Sequence, residues 1–153
     1  MAENKIYTLY TNQYDEILKT GETPNNLQIA QKFVANGYDV FLLSNPRGTK
    51  SADFIIRKKN ILFYVEGKTS SGGSALSVRL SEGAKQADRI VINLTNYSKL
   101  KRLAENIKAT FIQNPSLREL LIFKGLILIQ IDRYLITSKD YSKIIFKEFN
   151  RKK

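Results

Sequence analysis

The chain has 153 residues, 42% of them hydrophobic and 25% charged, which suits one well-formed core and is short for two domains. Lys and Arg outnumber Asp and Glu by 25 to 14, and the resulting charge of +11 favours polyanions, nucleic acid first and an anionic membrane surface second. Cys and His are both absent, which excludes a disulfide framework, a thiolate nucleophile, a Ser-His triad and an ordinary zinc site, and leaves carboxylate, lysine, tyrosine and hydroxyl chemistry.

The N-terminus, Met1-Ala2-Glu3-Asn4-Lys5, is polar and unlike a signal peptide, so export would have to be supplied by something else. No apolar run is long enough to span a membrane. Tyr7, Tyr10, Tyr14, Ile17 and Leu18 have the spacing of a short amphipathic helix over 6–20. Thr23-Pro24 opens a second helix, with threonine as N-cap and proline in the first helical position. Leu27, Ala30, Phe33 and Val34 form its apolar face, and Asn36-Gly37 stops it. Residues 39–43 read as a strand, Asn45-Pro46-Arg47-Gly48 as a turn, and about 52–57 and 61–68 as a hairpin reversed at Arg57-Lys58-Lys59-Asn60. Thr69 to Ser74 is small, polar and loop-like. A helix over 76–88, a strand over 89–94 and a longer helix over 96–113, stopped before Pro115, come next. Short runs at 120–123, 126–131 and 134–136 read as strands, and a helix or tail follows from Asp140. The whole chain, 1–153, reads as one domain: an N-terminal helical extension over 1–20, a core over about 23–132, and a terminal segment over 140–153.

The hairpin carries the chemistry. Asp53 stands near the start of its first strand and Glu66-Gly67-Lys68 ends its second. Side chains alternate between the two faces of a strand, so Glu66 and Lys68 point the same way, and the chain reversal can bring Asp53 beside Glu66. Two adjacent carboxylates repel unless a cation lies between them, and hard cations such as Mg2+, with Mn2+ as the alternative, take oxygen ligands. A lysine beside that cation holds a phosphate or a developing negative charge, which together suits metal-dependent phosphodiester cleavage. Arg47, Lys50, Arg57, Lys58 and Lys59 form a basic rim expected to flank the site and track phosphates. Tyr38 is a candidate for stacking on unpaired bases.

The order helix, three strands, helix, strand, with Asp53 on the second strand and Glu66-Gly67-Lys68 on the third, resembles the PD-(D/E)XK nuclease superfamily, whose core is αβββαβ. Ala52 replaces the proline of the motif's name. Within that superfamily, three runs resemble the C-terminal toxin domains of contact-dependent growth inhibition (CdiA-type) proteins, commonly tRNA nucleases: Asn26 to Ala30, Gly37 to Val40, and Lys85-Gln86-Ala87-Asp88-Arg89-Ile90-Val91. The resemblance covers about 23–132. It implies a mixed α/β sheet flanked by helices and a Mg2+-dependent endonuclease with Asp53 and Glu66 as metal ligands. It further implies Lys68 and Gln86 as catalytic residues, tRNA as substrate, an acidic immunity protein as partner, and action in a bacterial cytoplasm after delivery as part of a larger protein. One departure matters: the first core helix has no carboxylate, so Glu16, Glu22 or the amide of Gln28 would have to stand in. A DNA endonuclease of the same fold and a non-catalytic nucleic-acid-binding module are the alternatives.

Overall fold

A computed structural model of the chain describes residues 5–8, 23–43, 52–70, 74–85, 87–95 and 99–151. Its strands are β1 (Ile6–Thr8), β2 (Asp39–Leu42), β3 (Phe54–Lys58), β4 (Ile61–Ser70), β5 (Arg89–Leu94), β6 (Glu119–Lys124) and β7 (Ile127–Asp132). Its helices are α1 (Thr23–Ala35), α2 (Ser74–Ala84), α3 (Leu100–Gln113), α4 (Arg133–Ile136) and α5 (Tyr141–Phe149). The strands form one mixed sheet in sequence order, β1 to β7. β1–β2, β4–β5 and β5–β6 pair in parallel and the other neighbours antiparallel. Each parallel pair is bridged by a stretch containing a helix, as parallel pairing requires. The expected mixed sheet flanked by helices is therefore present, and α1, β2, β3, β4, α2 and β5 follow one another as helix, three strands, helix, strand.

Two apolar cores lie on the two faces of the sheet. On one face Ile29, Ala30 and Phe33 of α1 pack against Val40, Phe54, Ile56, Val65, Val91, Leu121 and Phe123. On the other, α2, α3 and α5 cover Ile90, Ile92, Leu94, Leu120 and Ile122 through residues such as Leu80, Ile107, Phe111 and Phe149. The alternation along β5 is complete: Val91 turns to α1, while Ile90 and Ile92 turn to α2 and α3. Strands buried on both faces read as unbroken apolar runs, which is why RIVINL and ELLIFK show no polar alternation.

The turn chemistry read from the sequence holds. Tyr38 N–H donates to Phe33 C=O and Gly37 N–H to Val34 C=O, a Schellman cap, with Gly37 at φ +88°. Lys59 and Asn60 take φ of +52° and +66°, the two left-handed positions of a two-residue hairpin turn.

Three expected elements are corrected. Residues 6–8 are a strand, not the start of a helix, because pairing with Val40 to Leu42 overrides the helical spacing; Tyr10, Tyr14, Ile17 and Leu18 lie outside the described residues. The run Tyr134 to Ile136 belongs to α4 rather than a strand, since the Asp132 carboxylate accepts from Leu135 N–H at 2.8 Å and caps a helical turn there. The helix expected over 76–88 ends at Ala84.

Gly67 fixes how closely α1 and β3 approach the centre of the sheet. A Cβ there would lie 2.6 Å from Phe54 Cε2 and 3.4 Å from Ile29 Cδ1, so the face opposite Glu66 and Lys68 is filled rather than open. Phe54 is fully buried and has nowhere to retreat. Gly67→Ala is expected to destabilise the protein by about 1–3 kcal/mol through overpacking, read as a lower denaturation midpoint in urea.

Candidate functional site

β3 begins only at Phe54, which pairs with Val65, while β4 runs on to Ser70. Asp53 takes over the missing rung of the ladder: its N–H donates to Val65 C=O at 3.1 Å, and its Oδ2 accepts from Gly67 N–H at 3.0 Å. The carboxylate is thereby pinned against β4, and it shares a hydrogen bond with the Glu66 carboxyl. Glu66 is 2% exposed, and Lys68 Nζ stands 3.6 Å from its Oε1. Asp53, Glu66 and Lys68, chosen from sequence, are thus brought together on the face of β4 that turns away from α1.

Burial, then the Asp53 hydrogen bond and negative charge, push the Glu66 carboxyl up from 4.5 to about 9, with Lys68 pulling the other way. At neutral pH the pair therefore holds a proton between two carboxyl groups. The two carboxyl groups offer oxygen donors only, the kind that Mg2+ or Mn2+ takes. No group of three or more acidic, His or Cys side chains able to hold a metal occurs among the described residues, in keeping with the absence of a carboxylate on α1.

The raised Glu66 value has a thermodynamic consequence. Below about 4.5 both folded and unfolded states bind the proton; between there and about 9 only the folded state keeps it; above about 9 neither does. Stability in chelator should therefore fall as pH rises from about 5 to about 9, and Glu66→Gln should remove that component. Denaturant titrations across this range measure it; an unchanged pH profile in Glu66→Gln would show that Glu66 does not hold the proton.

The remaining expected site residues scatter. Arg47, Lys50 and Gln86 lie outside the described residues. Lys58 lies five residues along the chain from Asp53, about 17 Å at strand rise, and it turns to the α1 face, where its Nζ sits 4.8 Å over the Tyr38 ring and donates to Asn36 C=O at 3.4 Å. Lys59 is at the hairpin tip beside it. These two lysines do not flank the carboxyl pair, because the strand carries them to its far end. Arg57 is committed to Asp39 at 2.7 Å. Tyr38 is buried against Phe33, with its hydroxyl accepting from Gln130 Nε2, and is a core residue rather than a base-stacking surface.

One cluster was not anticipated. Asn93 is 3% exposed at the end of β5, and its Oδ1 accepts from Lys32 Nζ at 2.6 Å. Its Nδ2 donates to Gln28 Oε1 at 3.3 Å. Gln28 is therefore engaged with Asn93 on the α1 face, and it does not replace the missing carboxylate beside Glu66. The signal in the sequence was a lone asparagine in an apolar strand, with Gln28 and Lys32 one helical turn apart.

With this geometry in place, one solved structure is similar. It is a chain of a CdiA-CT/CdiI toxin and immunity complex from Burkholderia pseudomallei, at TM-score 0.53 and 19% identity, covering 84% of this chain and 99% of that one. At that identity the likeness is one of fold. No protein-family model and no curated protein matches the chain. No helix among the described residues is long and apolar enough to cross a membrane.

Proposed function

We propose that the chain is the toxin domain of a bacterial growth-inhibition system and acts as an endonuclease on RNA, with tRNA as its preferred substrate and Mg2+ or Mn2+ as cofactor. The observation that carries this reading is the contact between the half-buried Asp53 and the buried Glu66 carboxyl groups, with the Lys68 ammonium 3.6 Å from Glu66. The fold likeness to a chain from a toxin–immunity complex supports the toxin role by analogy. The preference for tRNA rests on the resemblance of the sequence to CdiA-type domains. A charge of +11 supports both a polyanionic substrate and an acidic immunity protein, met in the bacterial cytoplasm after delivery from another cell.

Asp53 and Glu66 would hold the cation, which supplies charge for acidifying a water and polarising a phosphate oxygen. Holding it requires Glu66 to release the proton shared with Asp53. The Gly67 N–H keeps the Asp53 carboxylate in place without side-chain reorganisation. Lys68, largely buried beside the pair, presents a fixed positive charge to the transition state in a medium that screens it weakly. The absence of a third acidic ligand among the described residues favours one rival, a binding module that retains the fold without the chemistry.

Incubating the purified chain with total RNA and with plasmid DNA, each with Mg2+, with Mn2+ and with chelator, tests the reading. Discrete RNA products in metal and none in chelator are expected. Cleavage of plasmid alone would make it a DNA endonuclease. Tight binding without cleavage of either substrate in either metal would establish the binding module.

A further inference from the structure

The Lys32 ammonium is held in an unusual way. It sits on α1 with one N–H donated to the buried Asn93 Oδ1 at 2.6 Å, and 6.0 Å over the Phe123 ring. Burial depresses its pKa. No carboxylate lies within ion-pair distance of it among the described residues. A partly desolvated cation with only neutral partners and two N–H groups still to place is an unfavourable arrangement on its own. Asn93 cannot turn its amide nitrogen toward the ammonium without losing its bond to Gln28, so the carbonyl oxygen is fixed in place to hold Lys32. Thr69, opposite Asn93 in the β4–β5 register and on the same face, has a buried Oγ1 with no hydrogen-bond partner among the described residues. The cluster thus gathers an uncompensated positive charge and a spare hydroxyl near the carboxy-terminal ends of β4 and β5. Lys68, the residue before Thr69, lies on the other face of the same strand.

We infer that Lys32, oriented by Asn93 and Gln28, binds a backbone phosphate of the nucleic acid next to the one cut at Asp53, Glu66 and Lys68. This rests on the nuclease reading for its substrate class. The phosphodiester chain crosses the ends of β4 and β5, meeting Lys32 on one face and Lys68 on the other. The phosphate supplies a counter-charge that no carboxylate among the described residues provides, and its oxygens accept from the ammonium. Lys32 is a substrate-positioning residue here, separate from the reacting atoms.

The test uses binding in chelator, so that its result does not depend on whether the chain cuts. Wild type, Lys32→Gln and Lys32→Arg are titrated with unfractionated tRNA and with a short DNA duplex over a range of salt, and the thermal midpoint of each protein is measured. Glutamine still donates to Asn93 but carries no charge, so a purely structural Lys32 would be replaced without loss of affinity. Lys32→Gln is expected to keep its melting temperature, bind on the order of tenfold more weakly at about 0.1 M salt, and lower the salt slope by about 0.9. Lys32→Arg should keep most of the affinity and the slope. A loss for tRNA but not for the duplex, or the reverse, identifies which nucleic acid supplies the phosphate. Unchanged affinity and slope in Lys32→Gln for both probes would overturn the inference, as would a drop in melting temperature with the slope intact. The nuclease reading could survive either outcome, since it stands or falls on cleavage by the wild type in metal.

Discussion

Glu66→Gln is expected to reduce cleavage by at least ~10³-fold, the order seen when one member of a group that acts as a unit is removed, while leaving the metal-free protein as stable as wild type or more so. Glutamine matches glutamate in shape, and its amide can donate to Asp53 where the shared proton now does. The fold around a 2% exposed side chain is therefore kept, while the second carboxylate for a cation is lost. Asp53→Asn should behave alike. Asp53→Ala should lose activity and also about 1–3 kcal/mol of stability, because the Gly67 N–H that bonds Asp53 Oδ2 at 3.0 Å is left without that acceptor. Cleavage under single-turnover conditions, with melting curves in chelator, separates the two effects. Undiminished cleavage by Glu66→Gln would remove Glu66 from the chemistry.

Lys68→Ala should lower kcat by about 10²–10³ with a much smaller change in nucleic-acid affinity, since a charge fixed beside the carboxyl pair acts on the transition state more than on the ground state. Lys68→Arg should rescue poorly. The Lys68 side chain is 18% exposed and stands 3.6 Å from Glu66 Oε1, and a planar guanidinium is bulkier than the ammonium it would replace there. Saturating single-turnover rates distinguish the possibilities. A Lys68→Ala protein that binds weakly but turns over normally at saturation would make Lys68 a phosphate contact like the one assigned to Lys32. Combining Lys68→Ala with Lys32→Gln then tests independence: distinct phosphates give additive losses in free energy, and a shared one does not.

The element order was legible because it rests on local signals. The Thr23-Pro24 start, the Gly37 stop, the reversal within Arg57-Lys58-Lys59-Asn60 and the apolar runs of β5 and β6 each depend on neighbours within a few residues. The Asp53, Glu66 and Lys68 grouping was legible for the same reason, since a two-residue hairpin turn fixes the register of β3 on β4 and leaves little freedom in where Asp53 falls. Two of the errors came where distance along the chain matters. Spacing alone made 6–8 helical, although a strand more than thirty residues away recruits them. Contiguity in sequence placed Lys58 and Lys59 beside the site, although they are at the far end of the hairpin.

By itself, then, the sequence determined the residue chemistry on offer, the local turns and caps, and a glutamate and a lysine on one strand face with an aspartate across the hairpin from them. Covalent neighbours and side-chain alternation are enough to dictate those. Tertiary structure alone decided that Asp53 completes the β4 ladder through its side chain, that Phe54 and Ile29 leave room only for glycine at position 67, and that Lys32 meets Asn93 across 61 residues of chain. The last two depend on how α1 seats against the sheet. That seating is set by the collective packing of one apolar face, which no local pattern encodes.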